Sequence, residues 1–172
     1  MPQVIHSRSK RKRTLINWVV VIGALVITLA IVGFFDWRAS QDKAAFNSAM
    51  QQATLLDHDR RYQDEKAGLE AYLNTNPPSQ YRLGPYTVLG TISYQQRDYQ
   101  GAINYYEAAV ASNGGKPTEY LAEDIGQAAA SAGDNATALK YFKLAIQLTD
   151  PKAQGTDLGD LKATVKNLES KQ

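Results

Sequence analysis

Two histidines, no cysteine and a scatter of carboxylates are the chemistry-bearing side chains of this 172-residue chain. His6 lies in the N-terminal tail, and His58 stands between Asp57 and Asp59. A histidine flanked by carboxylates could touch a metal weakly, but a metal centre or imidazole catalysis needs further converging groups at ligand spacing. No such spacing occurs here, and His58 reads as a solvated helix end. Glu119, Glu123 and Asp124 could pair for acid–base work, yet their spacing on one helix is that of a wet face. Gly114-Gly115 has neither phosphate-loop pattern and reads as a turn between helices. With no cysteine, thiolate catalysis, disulfides and zinc–thiolate sites are excluded. No enzyme activity, cofactor or metal is therefore expected. The ten tyrosines offer recognition chemistry instead, a ring for stacking and a hydroxyl for hydrogen bonding. Tyr86, Tyr99, Tyr106 and Tyr141 read as interior or seam positions, whereas Tyr94 and Tyr120 read as surface.

The elements that position these rings repeat. Leu89, Gly90, Asp98, Ala102, Tyr106 and Ala109 correspond to Ile125, Gly126, Asp134, Ala138, Phe142 and Ala145, every pair 36 residues apart. Ala102, Ile103, Tyr106, Ala109 and Val110 follow an i, i+1, i+4, i+7, i+8 pattern, one apolar stripe of an amphipathic helix. Arg97-Asp98 turns the chain between that helix and a preceding one over about 85–96. The small residues Gly90, Ala102, Gly126 and Ala138 fall where two helices would cross closely. Such pairs cannot bury their apolar faces alone and have to stack.

On these residues the sequence resembles the tetratricopeptide repeat family, whose roughly 34-residue unit calls for an aromatic, Leu, Gly, then Ala, aromatic, Ala and a late Pro. Residues 83–116 supply Tyr86, Leu89, Gly90, Ala102, Tyr106 and Ala109. Residues 119–152 supply Ile125, Gly126, Ala138, Phe142 and Ala145, with Pro151 one place late. Ala122 takes the place of an aromatic and Asn135 that of Tyr99, which suggests looser packing at both. A degenerate copy over 44–79 keeps Tyr62, Leu69 and Pro77 but has Ala53 for the Gly, Glu65 for the Ala and Tyr72 for the second Ala. Residues 156–170 form an amphipathic segment, with Leu158, Leu161, Val165 and Leu168 on one face, suited to capping the array.

The resemblance implies a binding groove lined by each first helix: Met50, Thr54 and Asp57, then Thr87, Thr91, Tyr94 and Gln95, then Tyr120, Glu123, Gln127 and Ser131. Tyr, Gln, Thr and Met suit an extended or helical peptide held by apolar contacts and amide hydrogen bonds. Family members that hold the acidic C-termini of chaperones use Lys and Asn at such positions. None stands there in this chain, so that ligand class is not expected.

Ahead of the repeats lies a run without charge, Leu15 to Phe35, in which Asn17 and Thr28 are the clearly polar residues. As a helix it would be roughly 31 Å long, the thickness of a bilayer's hydrocarbon core. Trp18 at one end and Phe34, Phe35 and Trp37 at the other fit the two interfaces. A cleaved signal peptide has a shorter apolar region and a small residue where Trp37 stands. Ala24-x-x-x-Thr28 is a small-residue pair able to seat a partner helix. Arg8, Lys10, Arg11, Lys12 and Arg13 precede the run, while Asp36 to Lys43 balance in charge. Arg11, Lys12 and Arg13 thus mark the cytoplasmic interface, with the rest of the chain outside. Without this tail, 14 basic face 17 acidic residues, which argues against nucleic-acid binding by the folded part.

The expectation is an all-α protein: a basic cytoplasmic tail (1–14), a transmembrane helix (15–35), a juxtamembrane segment (36–43), tetratricopeptide-like repeats (44–152) and a C-terminal capping helix. Its expected function is that of a single-pass membrane scaffold or chaperone-like adaptor whose groove takes a protein or peptide partner on the extracytoplasmic face. A structural subunit of a larger membrane complex and an organelle import receptor with cytosolic repeats are the alternatives.

Overall fold

The computed structural model describes residues 7–58, 61–149 and 158–170, with side chains described from Val21 and not at His58. Seven α-helices occur among them: α1 (Ser7–His58), α2 (Tyr62–Asn74), α3 (Leu83–Gln95), α4 (Tyr99–Ser112), α5 (Glu119–Ser131), α6 (Asn135–Leu148) and α7 (Leu158–Glu169). A 3₁₀ turn at Ser79–Tyr81 precedes α3. The chain divides into two compact units, Met1–Ala44 and Ala45–Gln172.

In the first unit the helix carries large apolar side chains on every side over residues 21–37. Val21, Ile22, Leu25, Val26, Ile27, Leu29, Ile31, Val32, Phe34, Phe35 and Trp37 are each at least half exposed. Thr28 donates its hydroxyl to the Ala24 carbonyl at 2.9 Å, so the polar residue of this stretch satisfies itself within its own helix. Residues 36–43, expected as a separate segment, continue α1 without a break, with Arg38 and Asp42 in an exposed i,i+4 pair at 3.7 Å. Nothing in that stretch breaks a helix: it contains neither Gly nor Pro.

In the second unit the helices pack as successive antiparallel pairs. The turn chemistry is duplicated. At the end of α3, Asp98 N–H bonds back to Ser93 O and Arg97 N–H to Tyr94 O, both at 2.9 Å, a Schellman closure. Asp98 then opens α4 by accepting from Gly101 N–H at 3.0 Å. Asp134 does the same between α5 and α6, bonding Ala129 O at 2.9 Å through its N–H and Thr137 N–H at 3.0 Å through its carboxylate. One aspartate thus ends one helix and begins the next. The left-handed position these turns need is filled by Gly133 (φ 83°) in one copy and by Arg97 (φ 64°) in the other.

The core of the second unit is built from alanines and rings. Ala102, Ala109, Ala122, Ala128, Ala129, Ala138 and Ala145 have no exposed surface, and Tyr106 and Phe142 are buried among them. Ala122, where looser packing is expected, has no exposed surface and belongs to the core cluster. At Asn135, the other departure, α6 simply begins, and its side chain is half-buried. Ala53, Leu69 and Leu89 form a second, smaller cluster with Met50, Leu73, Tyr86, Val88 and Tyr105 around it. α7 buries Leu161, Val165 and Leu168 and leaves Asp160, Lys162, Lys166 and Glu169 exposed; Lys143 on α6 reaches Glu169 at 2.8 Å.

Two glycines set the spacing within the pairs. A Cβ on Gly126 would lie 2.9 Å from Cδ1 of Phe142, and one on Gly90 would lie 2.5 Å from Cδ1 of Tyr106. Gly68 on α2 meets nothing within 4 Å. The same substitution should therefore act with opposite sign at two helical sites. Gly68→Ala should stabilise by up to about 1 kcal/mol through helix propensity. Gly126→Ala gains that term but forces a buried ring aside, which costs about 1–3 kcal/mol, and should destabilise on balance. Thermal melts of the two variants followed by circular dichroism check the contrast.

Candidate peptide-binding groove

The first helices of successive pairs present one face that the core does not use. On α3, Leu89, Gly90 and Ile92 turn inward, and Thr87, Thr91, Tyr94 and Gln95 line the other side. On α5, Leu121, Ala122, Ile125 and Ala128 are buried, leaving Tyr120, Glu123, Gln127 and Ser131 free of the core. These side chains gather into two concavities of the second unit.

The N-terminal concavity, about 250 Å³, is lined by Met50, Ala53, Thr54 and Asp57 of α1, Glu65 of α2, and Thr87, Val88, Thr91, Ile92 and Gln95 of α3. Three of its hydroxyls are committed to helix backbone: Thr54 donates to Met50 O at 2.9 Å, Thr87 to Leu83 O at 2.9 Å and Thr91 to Thr87 O at 3.1 Å. Thr91 Oγ1 also lies 3.3 Å from the Tyr106 hydroxyl. Burial pushes the Tyr106 phenol up, and the Thr91 bond partly offsets it.

The C-terminal concavity is larger, about 480 Å³. Tyr94, Tyr120, Glu123, Gln127, Ala130 and Ser131 line it together with Phe142 of α6 and Asp160, Leu161 and Thr164 of α7. Tyr94 bridges two repeats: its hydroxyl lies 3.3 Å from Ser131 Oγ, and its ring centroid 5.5 Å from that of Tyr99. Gln127 donates to Glu123 at 3.1 Å across one helical turn. Tyr120, 65% exposed, stands at the rim as a free ring.

All eight residues expected to line a groove, Thr87, Thr91, Tyr94, Gln95, Tyr120, Glu123, Gln127 and Ser131, therefore lie in one concavity or the other. So do Met50, Thr54 and Asp57. Several lining residues escaped the sequence reading, Asp160, Leu161, Thr164 and Glu65 among them. Asp160, Leu161 and Thr164 belong to a helix legible only as a cap, although an acid beside the capping Leu161 was visible. Glu65 was visible as the wrong residue in an alanine slot, without a sign of where its carboxylate would sit. Trp37 is 57% exposed, with its ring centroid 6.1 Å from that of Phe34. The side chains of Trp18, Arg11, Lys12 and Arg13, like His58 and Asp59, lie outside the described residues. Among the described residues no cluster of His, Cys, Asp and Glu has the form of a metal site.

A second set of tyrosines ties the outer helices together. Tyr105 on α4 donates to Glu70 on α2 at 2.6 Å, and Tyr141 on α6 donates to Glu107 on α4 at 3.3 Å. Burial and the Glu70 bond push Tyr105 up to about 12, so it remains a neutral donor throughout the physiological range.

Among solved structures, the chain is similar to the N-terminal domain of stress-induced protein-1 (STI-1) from C. elegans, with a TM-score of 0.58 and 16% identity, covering 73% of this chain and 98% of that one. It is equally similar to the Yersinia enterocolitica type III secretion chaperone SycD in complex with a peptide of the translocator YopD: TM-score 0.58, 18% identity, 73% and 92% covered. An alternative dimer of SycD gives 0.57 at 19% identity over the same shares. No family model and no curated protein matches the sequence. At these identities the likeness establishes the fold, an all-α tetratricopeptide-like helical repeat.

One half-buried acid on α5 carries a cost. Asp124, between Glu123 and Ile125 on α5, is raised from the usual 3.8 to about 6, by burial first and by the Glu123 charge second. Between about pH 4 and pH 6 the folded chain keeps a proton that the unfolded chain has lost. The group's contribution is thus most favourable below about pH 4 and is lost as pH rises through about 6. Asp124→Asn should stabilise at pH 7 by on the order of 1–3 kcal/mol, and the gain should shrink toward zero at pH 4. Urea unfolding at the two pH values checks both the sign and the window.

Proposed function

We propose that the chain is a membrane-anchored protein-interaction scaffold, a chaperone-like adaptor whose repeat groove holds a peptide segment of a partner protein on the extracytoplasmic face. The observation that carries the reading is the groove itself. Side chains from α1, α2, α3, α5, α6 and α7 line two concavities, mixing rings, hydroxyls, amides and carboxylates. Such a lining suits a polypeptide, which offers apolar side chains and backbone amides at regular spacing. That a chaperone of the same fold is seen with a translocator peptide supports a peptide as the ligand class.

The anchor rests on the apolar stretch of α1. Eleven large apolar side chains over 21–37 face outward in every direction, more exposed oil than a water-soluble surface sustains. By length and composition the helix is able to cross a bilayer, and its apolar window carries a mean hydropathy of 1.8. The basic residues before the stretch favour a cytoplasmic N-terminus. The same asymmetry weighs against an import receptor with cytosolic repeats. Proteins of this class act by binding, and the proposal assigns the chain no catalytic step.

Two measurements on the full chain in native membranes test the reading. Protease added to sealed vesicles should digest the repeats only when it reaches the extracytoplasmic face; digestion confined to the cytoplasmic side overturns the orientation. Photo-crosslinking residues placed at Tyr94 and Tyr120 should join a polypeptide that one placed at Gln100, exposed on α4, does not. Equal labelling from all three positions removes the groove as the binding surface.

A further inference from the structure

Glu65 is the one residue in the groove whose burial lacks a reason within the fold. It occupies the alanine slot of the first repeat, on the second helix of the pair, and is 3% exposed. Its Oε2 is sealed from solvent and has no hydrogen-bond partner among the described residues. Sealing a carboxylate without a partner is costly, and a structural role would have been served by the alanine that the other two copies keep at 102 and 138. The side chain lines the N-terminal concavity, and Asp57 lines it too.

The rest of the lining accepts hydrogen bonds and hardly donates them. A threonine hydroxyl has one hydrogen and two lone pairs. Thr54 and Thr87 each spend that hydrogen on a carbonyl four residues back, and Thr91 is engaged with both Thr87 O and the Tyr106 hydroxyl, so the threonines have little left to donate to a ligand. The Gln95 amide is the one side-chain donor left among the described residues of the lining, and no Lys or Arg is among them. Met50, Val88 and Ile92 supply an apolar wall at the same place.

We infer that the N-terminal concavity is a socket for a cationic side chain of the bound peptide, an arginine or a lysine, whose charged head pairs with Glu65 and Asp57. The inference rests on the groove reading proposed above and names the chemistry of its ligand. An arginine matches best. Its guanidinium carries five donors and no acceptor, its bidentate pairing suits a carboxylate, and its methylene stem fits the apolar wall. Burial and the charge of Asp57 hold the Glu65 carboxyl above its usual range, and a cation placed between the two would relieve the second cause. The larger concavity continues the same sign, with Glu123 and Asp160 and no basic residue in its lining. A like-charged partner segment is thus repelled along the whole groove.

The test uses the full chain in phosphatidylcholine nanodiscs, whose neutral lipid does not attract basic peptides. The probe is a degenerate 12-residue peptide library with blocked termini, and retained peptides are sequenced by mass spectrometry against empty nanodiscs. Arg and Lys should be enriched at one position by tenfold or more. Glu65→Gln, which keeps the shape of the side chain, should lower that enrichment at least fivefold while apolar preferences at other positions persist. Asp57→Asn, at an exposed rim position that does not bear on folding, should lower it less. Peptides retained without basic enrichment, or with an enrichment that Glu65→Gln leaves intact, overturn the socket and leave the groove standing. Retention of no peptide by the wild-type chain overturns both.

Discussion

The repeat domain depends on a ring lying on a glycine. Tyr106 sits where a side chain on Gly90 would be, and Phe142 where one on Gly126 would be, so the two helices of each pair approach to a distance that only hydrogen at that position permits. Everything around the crossing is cut to fit: alanines at 102, 109, 138 and 145 have no exposed surface at all. Close approach fixes the orientation of a pair, and two pairs with the same crossing stack in the same way. Dispersion between well-fitted small groups then replaces the bulky aliphatic packing of an ordinary core.

Stacking divides the helices into two kinds. The second helices, α2, α4 and α6, are stitched by the Tyr105–Glu70 and Tyr141–Glu107 hydrogen bonds, each joining one pair to the next. The first helices are left to form the groove. Their packing is satisfied from one side by the glycine crossings, so the opposite side carries no structural duty. That freedom is what allows Thr, Tyr, Gln and Glu to stand there at little cost to the fold. The bridge from Tyr94 to Ser131 is the exception, a contact between first helices within the lining of the C-terminal concavity.

Periodicity carried most of this information in the sequence. The 36-residue offset located the two well-formed pairs, and small residues at 90, 102, 126 and 138 announced the close crossings. Groove positions followed because the side chains that miss the apolar stripe of each first helix have to face elsewhere. What the sequence could not carry depends on three dimensions. An amphipathic α7 shows that it covers something, but only packing on α6 determines that Asp160 and Thr164 reach a concavity shared with α3 and α5. Ala122 looked like a missing aromatic because a family pattern specifies size, whereas burial is decided by how near the neighbour comes. Arg97 in a left-handed turn was invisible without noticing that its counterpart is Gly133.

Two acids stand against the packing rules of the repeat unit. Glu65 replaces a small apolar residue and its Oε2 is sealed without a partner, and burial together with the Glu123 charge raises Asp124 from 3.8 to about 6. Each removes stability that an alanine or an asparagine would return. Selection for stability alone has no reason to keep two such acids in a unit whose interior is otherwise mostly alanine and rings. An acid that costs the fold is sustained when a ligand recovers the cost on binding, because a cation or donor brought to a desolvated carboxylate interacts far more strongly than one brought to a carboxylate in water. Under the socket inferred for Glu65, a bound cation offsets part of what that residue costs the free chain.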